Sequence, residues 1–236
     1  MSLKTDFMAQ TLVKALWGVP VTLEITVLTM LISAPLAFWM ALRRITKGNE
    51  KSRLIRFYVS FIRGTPIVLQ ILFFYSLLPT LLNYLFNVLL GWDLNIWDIN
   101  PVIYAVAVFT LNTTAVLSEV FRSALMSVGA GQLEAALASG LTSAQAYRRI
   151  IIPQALVVAL PNICSTFVNV LKSTSLAYLM TVQDIMAIAK KEAAFGYNYI
   201  EAYLVVLVIY IALCTIIQLI FKALEGSLSA YRKRLA

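Results

Sequence analysis

The chain has 236 residues, of which 61% are hydrophobic and 13% are charged, whereas soluble domains carry roughly 25% charged residues. This composition indicates one integral membrane domain over residues 1–236, and the net charge of +8 does not indicate nucleic-acid binding because the cations stand between apolar runs. Without histidine or a GxxxxGK[ST] loop, the chain is expected to be no enzyme, to bind no metal and to hold no ATP itself.

The first apolar run, residues 19–42, is long enough to cross about 30 Å of hydrocarbon, although Pro20, Glu24 and Pro35 interrupt it. The mixed segment before it, residues 1–17, is predicted to lie at the membrane interface. A run of cations follows the span with only Glu50 to oppose it: Arg43, Arg44, Lys47, Lys51, Arg53 and Arg56. This excess of positive charge predicts that the first span ends in the cytoplasm.

The second predicted span covers residues 57–78 and carries a distinctive group near its start, namely Arg63, Gly64, Thr65, Pro66 and Gln70. By physical chemistry alone, this group is a snorkelling arginine followed by a kink at Gly64 and Pro66. Residues 79–100 contain no Lys or Arg and are therefore predicted outside. The apolar stretch 81–90 within them is too short to span and is predicted to lie along the outer leaflet.

The third predicted span, residues 101–125, has a polar second half: Asn112, Thr113, Thr114, Ser118, Glu119 and Arg122. Such groups cannot all face lipid, so some must face the helix bundle or water. Glu119 and Arg122 stand three residues apart and can pair on one helix face. A structural salt bridge is favoured over substrate contact for this pair.

Residues 128–153 form a mostly polar, alanine-rich loop. Good helix formers at 134–138 predict a short helix, and Gly140 suits a left-handed cap that ends it. Thr142 or Ser143 can cap a second helix, and Pro153 is predicted to mark the boundary before the next apolar run. The expected product is a helix, a tight turn and a helix outside the bilayer, with a small-residue face for a partner's groove.

The fourth predicted span, residues 156–180, is the most polar membrane stretch. Lys172 lies too deep for easy snorkelling, so its ammonium needs a carboxylate, carbonyls or water. A substrate carboxylate is one possible partner, and Glu201 or helix-end carbonyls are the structural alternative. The predicted substrate path is Gln70, Asn112, Thr113, Asn169, Lys172, Ser173, Thr174 and Ser175.

After an outer segment at 181–197, predicted to hold a short amphipathic helix, the fifth span covers residues 199–221 and ends in a cationic tail. Fourteen of the nineteen Lys and Arg residues fall on one side of this arrangement. The asymmetry predicts an all-α protein with five transmembrane helices, an outer N-terminus, a cytoplasmic C-terminus and a cytoplasmic loop at 128–153.

The spacing of this loop resembles the EAA loop of the membrane subunits of ATP-binding-cassette importers. Glu134-Ala135-Ala136, Gly140 and Pro153 match that pattern with Gly129 and Gln132 in register, while Ile152 stands where the family usually has Leu. The resemblance implies that the following residues couple to an ATPase: Gly131, Gln132, Glu134, Ala135, Ala136, Gly140 and Pro153. The loop would contain a cytoplasmic coupling helix.

Three further segments resemble the polar amino-acid branch of these type I importers: Arg63 to Pro66 with Gln70, the Glu119 and Arg122 spacing, and Lys172 to Leu176. The resemblance implies a permease subunit in a bacterial cytoplasmic membrane that moves polar amino acids, with no cofactor of its own. It also implies a homodimer or heterodimer with a homologous permease, ATPase subunits that bind ATP and Mg²⁺, and an extracytoplasmic substrate-binding protein.

Two other classes remain open at the level of sequence. An ion-driven secondary transporter predicts inverted repeats and paired broken helices, and no internal symmetry is visible. A membrane scaffold without transport activity is the other alternative. Uptake that depends on ATP and on a binding protein distinguishes the three.

Overall fold

A computed structural model describes residues 3–45 and 50–235 of the chain. Lys47 of the predicted cationic run lies outside these residues. Ten α-helices follow one another in the described part of the chain, and they are α1 (Thr5–Leu16), α2 (Val19–Ile45), α3 (Glu50–Gly64), α4 (Ile67–Asn83), α5 (Pro101–Ser127), α6 (Ala130–Ala138), α7 (Ser143–Ala146), α8 (Ile152–Ser173), α9 (Ile185–Ala194) and α10 (Tyr199–Leu235).

Five helical stretches among the described residues are long and apolar enough to cross a membrane: Val19–Ile45, Ile67–Leu89, Pro101–Ser127, Ser143–Met180 and Tyr199–Gly226. The predicted number of spans is therefore matched. The fourth stretch is longer than predicted because a π-helical turn at Tyr147–Ile151 joins α7 to α8, and a 3-10 turn at Thr174–Met180 extends α8. Pro153 thus lies in the first turn of α8 and does not separate the loop from the span.

The second span differs from its prediction in position. The range 57–78 crosses a break at residues 65–66, where Pro66 has an extended backbone that ends α3 and begins α4. The apolar stretch that qualifies as a span starts at Ile67 and continues to Leu89 through a π-helix, Tyr84–Leu89. The stretch 81–90 was predicted as a separate surface segment, and this was wrong because its backbone continues the helix from α4.

Helix α5 lies at the centre of the fold. Its neighbours are α2, α3, α4 and α8, and its aromatic residues Tyr104, Phe109 and Phe121 are all buried. Phe121 packs edge-on against Phe38 of α2, with ring centroids 5.5 Å apart. Thr113, Thr114 and Ser118 are buried in this position, so these polar side chains of α5 face other helices and not lipid.

A second layer forms where α1 and α9 pack on α10. Gly18 follows α1 at a point so close to the start of α9 that a Cβ would lie 2.5 Å from the backbone nitrogen of Ile185. Asp184 caps α9 by accepting a hydrogen bond from the Ala187 N–H at 2.8 Å. The predicted short helix is present. Its residues Ile185, Ala189 and Ala193 are buried, and Asp184 before it is fully buried as well, so this outer segment packs into the fold.

Candidate functional site

The first helix, the Gly140 turn and the Thr142 cap that the sequence predicts in the loop at 128–153 are present, but the second helix is not separate, because α7 continues into the fourth span. Helix α6 ends at Gly140, whose φ of +81° is the left-handed conformation that favours glycine. Thr142 then caps α7 in a reciprocal arrangement with Gln145: the Gln145 N–H donates to the Thr142 hydroxyl at 3.4 Å, and the Thr142 N–H donates to the Gln145 side chain at 2.9 Å. The turn is therefore set by local interactions.

The outward surface of this loop consists mostly of small and polar side chains, with Leu137 also exposed. Ala136 is buried against the fold, while the other residues predicted to contact an ATPase in α6 are exposed, namely Gly131, Gln132, Glu134 and Ala135. Beside them, Ala144, Gln145, Arg148 and Arg149 line a cavity of about 480 Å³. A helix of this kind can enter a groove on a partner because its short side chains permit close approach.

An ion network links α2 to α5 near this loop. Glu119 accepts hydrogen bonds from Arg122 at 2.9 Å, as the sequence predicts, and it also forms an ion pair with Arg44 of α2 at 2.5 Å. Arg44 is mostly buried, and its Nε and one Nη have no hydrogen-bond partner. The sequence did not single out Arg44 within its cationic run, because only tertiary packing distinguishes it from its neighbours.

Gln70 holds the break between α3 and α4 together. Its amide nitrogen donates to the carbonyl oxygens of Ile62 at 2.7 Å and of Thr65 at 3.0 Å, and its amide oxygen accepts from Asn112 of α5 at 2.8 Å. A helix end leaves carbonyl groups without partners, and Gln70 satisfies these. Two of the three predicted substrate-path amides, Gln70 and Asn112, therefore contact each other in a partly buried structural network.

Most of the remaining predicted substrate-path residues line one of two cavities. The smaller, about 90 Å³, lies between α4, α5 and α8 and is lined in part by Asn112, Thr113, Asn169 and Ser173. A water molecule occupies about 30 Å³ in the liquid, so this cavity holds only a few waters. It is too small for a polar amino acid in this conformation.

The larger cavity, about 520 Å³, lies between α8 and α10 and contains Lys172 and Ser175. Its volume falls in the range of about 300–1,000 Å³ that is typical of small-molecule sites. Lys172 forms no ion pair among the described side chains. The sequence-based structural partner, Glu201, instead accepts a hydrogen bond from the backbone of Lys4 at 3.5 Å.

The predicted substrate path is therefore not one pocket in this conformation. Thr174 is completely buried and lines neither cavity; its hydroxyl donates to the Leu171 carbonyl at 2.6 Å and lies 3.4 Å from the hydroxyl of Tyr210. The sequence-based prediction missed the α10 side of the larger cavity, including Tyr203, Tyr210 and Gln218. Gln218 could have been found, because it is an amide in an otherwise apolar span.

The described residues contain no group of three His, Cys, Asp or Glu side chains that could hold a metal ion. Cys164 and Cys214 are free thiols. The residues that line the two cavities offer hydroxyls, amides, an ammonium group, the Cys214 thiol and aromatic rings. This set can bind a polar zwitterion by hydrogen bonds and charge.

Comparison with known proteins identifies the fold. Residues 33–230 match the family described as "Binding-protein-dependent transport system inner membrane component". The chain is 34% identical over 216 residues to the L-cystine transport system permease protein TcyL of Bacillus subtilis, covering 92% of this chain and 87% of that one. It is 33% identical over 209 residues to the histidine/lysine/arginine/ornithine transport system permease protein HisM of Escherichia coli K12, covering 88% and 86%.

A solved structure described as an amino acid ABC transporter with histidines has the same fold. The two superpose with a TM-score of 0.78 and 25% sequence identity, covering 96% of this chain and 100% of that chain. The family match covers most of the sequence and includes α5, the loop at 128–153, both cavities and the last span. The chain therefore belongs to the family of binding-protein-dependent transport system inner membrane components.

Proposed function

We propose that this chain is the permease subunit of an ATP-driven importer of polar amino acids in a bacterial cytoplasmic membrane. The observation that carries the proposal is the exposed helix α6 with its Gly140 turn, on a chain of this family whose relatives include cystine and histidine permeases. Separate ATPase subunits would bind ATP and Mg²⁺, and this chain would not hydrolyse ATP. A second permease copy or homologue and an extracytoplasmic binding protein complete the assembly.

The continuity of the helical stretch from Ser143 to Met180 supports a mechanism for coupling. A displacement of α7 by the ATPases, transmitted from α6, would move one rod, which carries Asn169 and Lys172 roughly 39 and 44 Å from Ser143 at the usual helical rise. The spans would rock between inward-open and outward-open states. Substrate must contact the two states with different free energies, and ATP supplies the remaining driving force.

Lys172 is the residue we assign to the substrate. Lys172 lines an open cavity large enough for an amino acid, together with Ser175, Tyr203, Tyr210 and Gln218. An α-carboxylate is the group on an amino acid that such a site attracts most strongly, because a charge-assisted hydrogen bond is about twice as strong as a neutral one. The smaller cavity would widen when the bundles move apart.

The experiment that tests the proposed function is uptake into sealed proteoliposomes that contain this chain with its permease and ATPase partners. We expect accumulation of a labelled polar amino acid only when ATP is inside and the binding protein is outside. Uptake driven by an ion gradient without ATP would identify a secondary transporter. No uptake under any of these conditions, from an assembled complex with active ATPase subunits, would favour a scaffold.

The topology is a separate prediction. Cations near both ends of α3 and in the final tail favour a cytoplasmic location for the loop at 128–153, and the acidic segment 79–100 favours the outside. In a variant without native cysteines, a cysteine at Ser143 should react only with reagents that enter the cytoplasm, and one at Asn95 with impermeant reagents in intact cells. A cysteine at Asn49, within the cationic run after the first span, is also predicted to be cytoplasmic, and this position lies outside the described residues. Labelling of the Ser143 cysteine from outside contradicts this orientation.

A further inference from the structure

Helix α3 has three distinct faces. Ile55, Val59 and Ile62 are buried and pack against Ala115 of α5, with Met40 of α2 alongside. The hydroxyl of Tyr58 donates a hydrogen bond to the backbone carbonyl of Leu111, which fixes α3 to the central helix. The other two faces are directed away from the fold.

One outward face is apolar. Leu54, Phe57 and Phe61 recur at helical spacing and are 73%, 72% and 51% exposed. The rings of Phe57 and Phe61 stack with centroids 6.3 Å apart. An exposed stripe of this kind requires an apolar environment, since soluble surfaces seldom carry adjacent large hydrophobic side chains.

The other outward face is cationic. Arg53, Arg56 and Arg63 lie along the same side of α3, adjacent to the apolar stripe, and all three are exposed. None of them forms an ion pair among the described side chains. In sequence, α3 carries four cations against one carboxylate. Among the described side chains, no carboxylate therefore lies within ion-pair distance of this face.

The end of α2, the helix before α3, also carries residues that are typical of a membrane interface. The guanidinium of Arg43 stands over the ring of Trp39 at 5.6 Å from its centroid, and Trp39 is partly exposed. Tryptophan and arginine at the end of a span are typical of the boundary between hydrocarbon and water. Helix α3 starts five residues after α2 ends, and it is not among the five stretches of described residues that are apolar enough to span.

We propose that α3 is a membrane-surface helix that binds anionic phospholipid. Leu54, Phe57 and Phe61 enter the acyl region, while Arg53 and Arg56 bind headgroup phosphates of phosphatidylglycerol-type lipids. An amphipathic helix with a basic face and an aromatic apolar face is the form that lies in a membrane interface. A protein partner would need carboxylates opposite the arginines, whereas an anionic leaflet supplies negative charge and an apolar phase together.

The test uses the full-length chain in neutral detergent, with phosphatidylglycerol and phosphatidylcholine added in competition. Native mass spectrometry counts the lipids bound to each chain. We expect phosphatidylglycerol to be retained selectively, and Arg53→Gln with Arg56→Gln to weaken its apparent affinity by about fivefold for each arginine removed. The variant Arg53→Lys with Arg56→Lys keeps the charge and should retain most of the binding.

The matched control is Arg148→Gln with Arg149→Gln, which removes two exposed arginines from the loop at 128–153 and should leave lipid selectivity unchanged. The proposal fails if the α3 glutamine variant retains phosphatidylglycerol like the parent, or if the control loses as much. A third arm, Phe57→Ser, should weaken lipid binding without changing the oligomeric state. If it dissociates an oligomer and leaves lipid bound, this face is an interface between copies of the chain. None of these readouts depends on transport.

Discussion

The loop at 128–153 and the polar second half of α8 both consist of residues that the sequence singles out, but their structures are determined in different ways. In the loop, Gly140 and Thr142 shape the backbone that carries them. On α8, neighbouring helices decide what each side chain faces, so Asn169 lies toward α5 and Lys172 toward α10. The structure of a turn can thus be predicted from one segment of sequence, whereas a binding surface depends on the helices that pack around it.

The largest effect is expected at the loop. In Gly140→Val, a β-branched residue must adopt a left-handed φ, at a cost of roughly 1–2 kcal/mol, or the turn between α6 and α7 must change. Glu134→Lys reverses the charge on the exposed face of α6. We expect both variants to insert normally and to abolish most uptake while ATP hydrolysis continues, measured in the same proteoliposomes.

Glu134→Gln is the matched control, because it keeps the size and helix propensity of the side chain and should retain more coupling than Glu134→Lys. If Gly140→Val and Glu134→Lys both transport normally and co-purify with the ATPase, the loop is not the coupling element. The loop at 128–153 would then be an ordinary connecting segment.

The next effect concerns Lys172. Loss of a hydrogen bond to a charged group costs about 1.5–3 kcal/mol, so Lys172→Met should lower uptake about 10- to 100-fold while assembly and stimulation of the ATPase by the binding protein persist. Lys172→Arg keeps the charge as a control and should retain part of the uptake. Poor assembly of the Met variant would mean that Lys172 is structural, and normal uptake would move the site to the cavity between α5 and α8.

The sequence predicted the fold better than the site. Five apolar runs, the loop geometry and the Glu119–Arg122 pair depend on composition, short spacing and backbone preference, which one sequence contains. The break at Pro66 was recognised as a kink, yet the span was placed across it, because hydropathy does not register where one helix ends and the next begins. Arg44 and Tyr210 could not be identified, since their roles arise only when α2 meets α5 and α8 meets α10.

Asp184, just beyond the polar stretch of α8, gives a smaller, pH-dependent effect. Burial raises the pKa of this carboxyl from 3.8 to about 6. Between these values the folded chain keeps a proton that the unfolded chain has lost, so stability falls as pH rises through the interval and remains low above it. The decrease by neutral pH is roughly 3 kcal/mol.

Thermal unfolding in detergent measures this dependence. We expect the unfolding midpoint of the parent to decrease from pH 4 to about pH 6, and Asp184→Asn to flatten that decrease because its amide oxygen can still accept from Ala187 without ionising. Asp93→Asn, at an exposed position, should leave the profile unchanged. An equal slope in the parent and in Asp184→Asn would show that this carboxyl does not titrate in that interval.

The smallest expected effect is at Gln70, which contacts Asn112 in the lining of the cavity between α5 and α8. It distinguishes a structural role for Gln70 from a role in transport. Gln70→Ala removes the amide hydrogen bonds to the carbonyls of Ile62 and Thr65. The Ile62 carbonyl still accepts from the Thr65 hydroxyl at 3.3 Å, whereas the Thr65 carbonyl loses its Gln70 donor, and an unsatisfied buried polar group costs about 1–3 kcal/mol. The midpoint of thermal unfolding should therefore fall. Gln218→Ala is the matched control, because Gln218 is exposed on the α10 side of the larger cavity and supports no backbone break. Its midpoint should remain that of the parent. If Gln70→Ala is as stable as Gln218→Ala but loses uptake, Gln70 contacts substrate, and the α5 side of α8 belongs to the transport path instead of the scaffold.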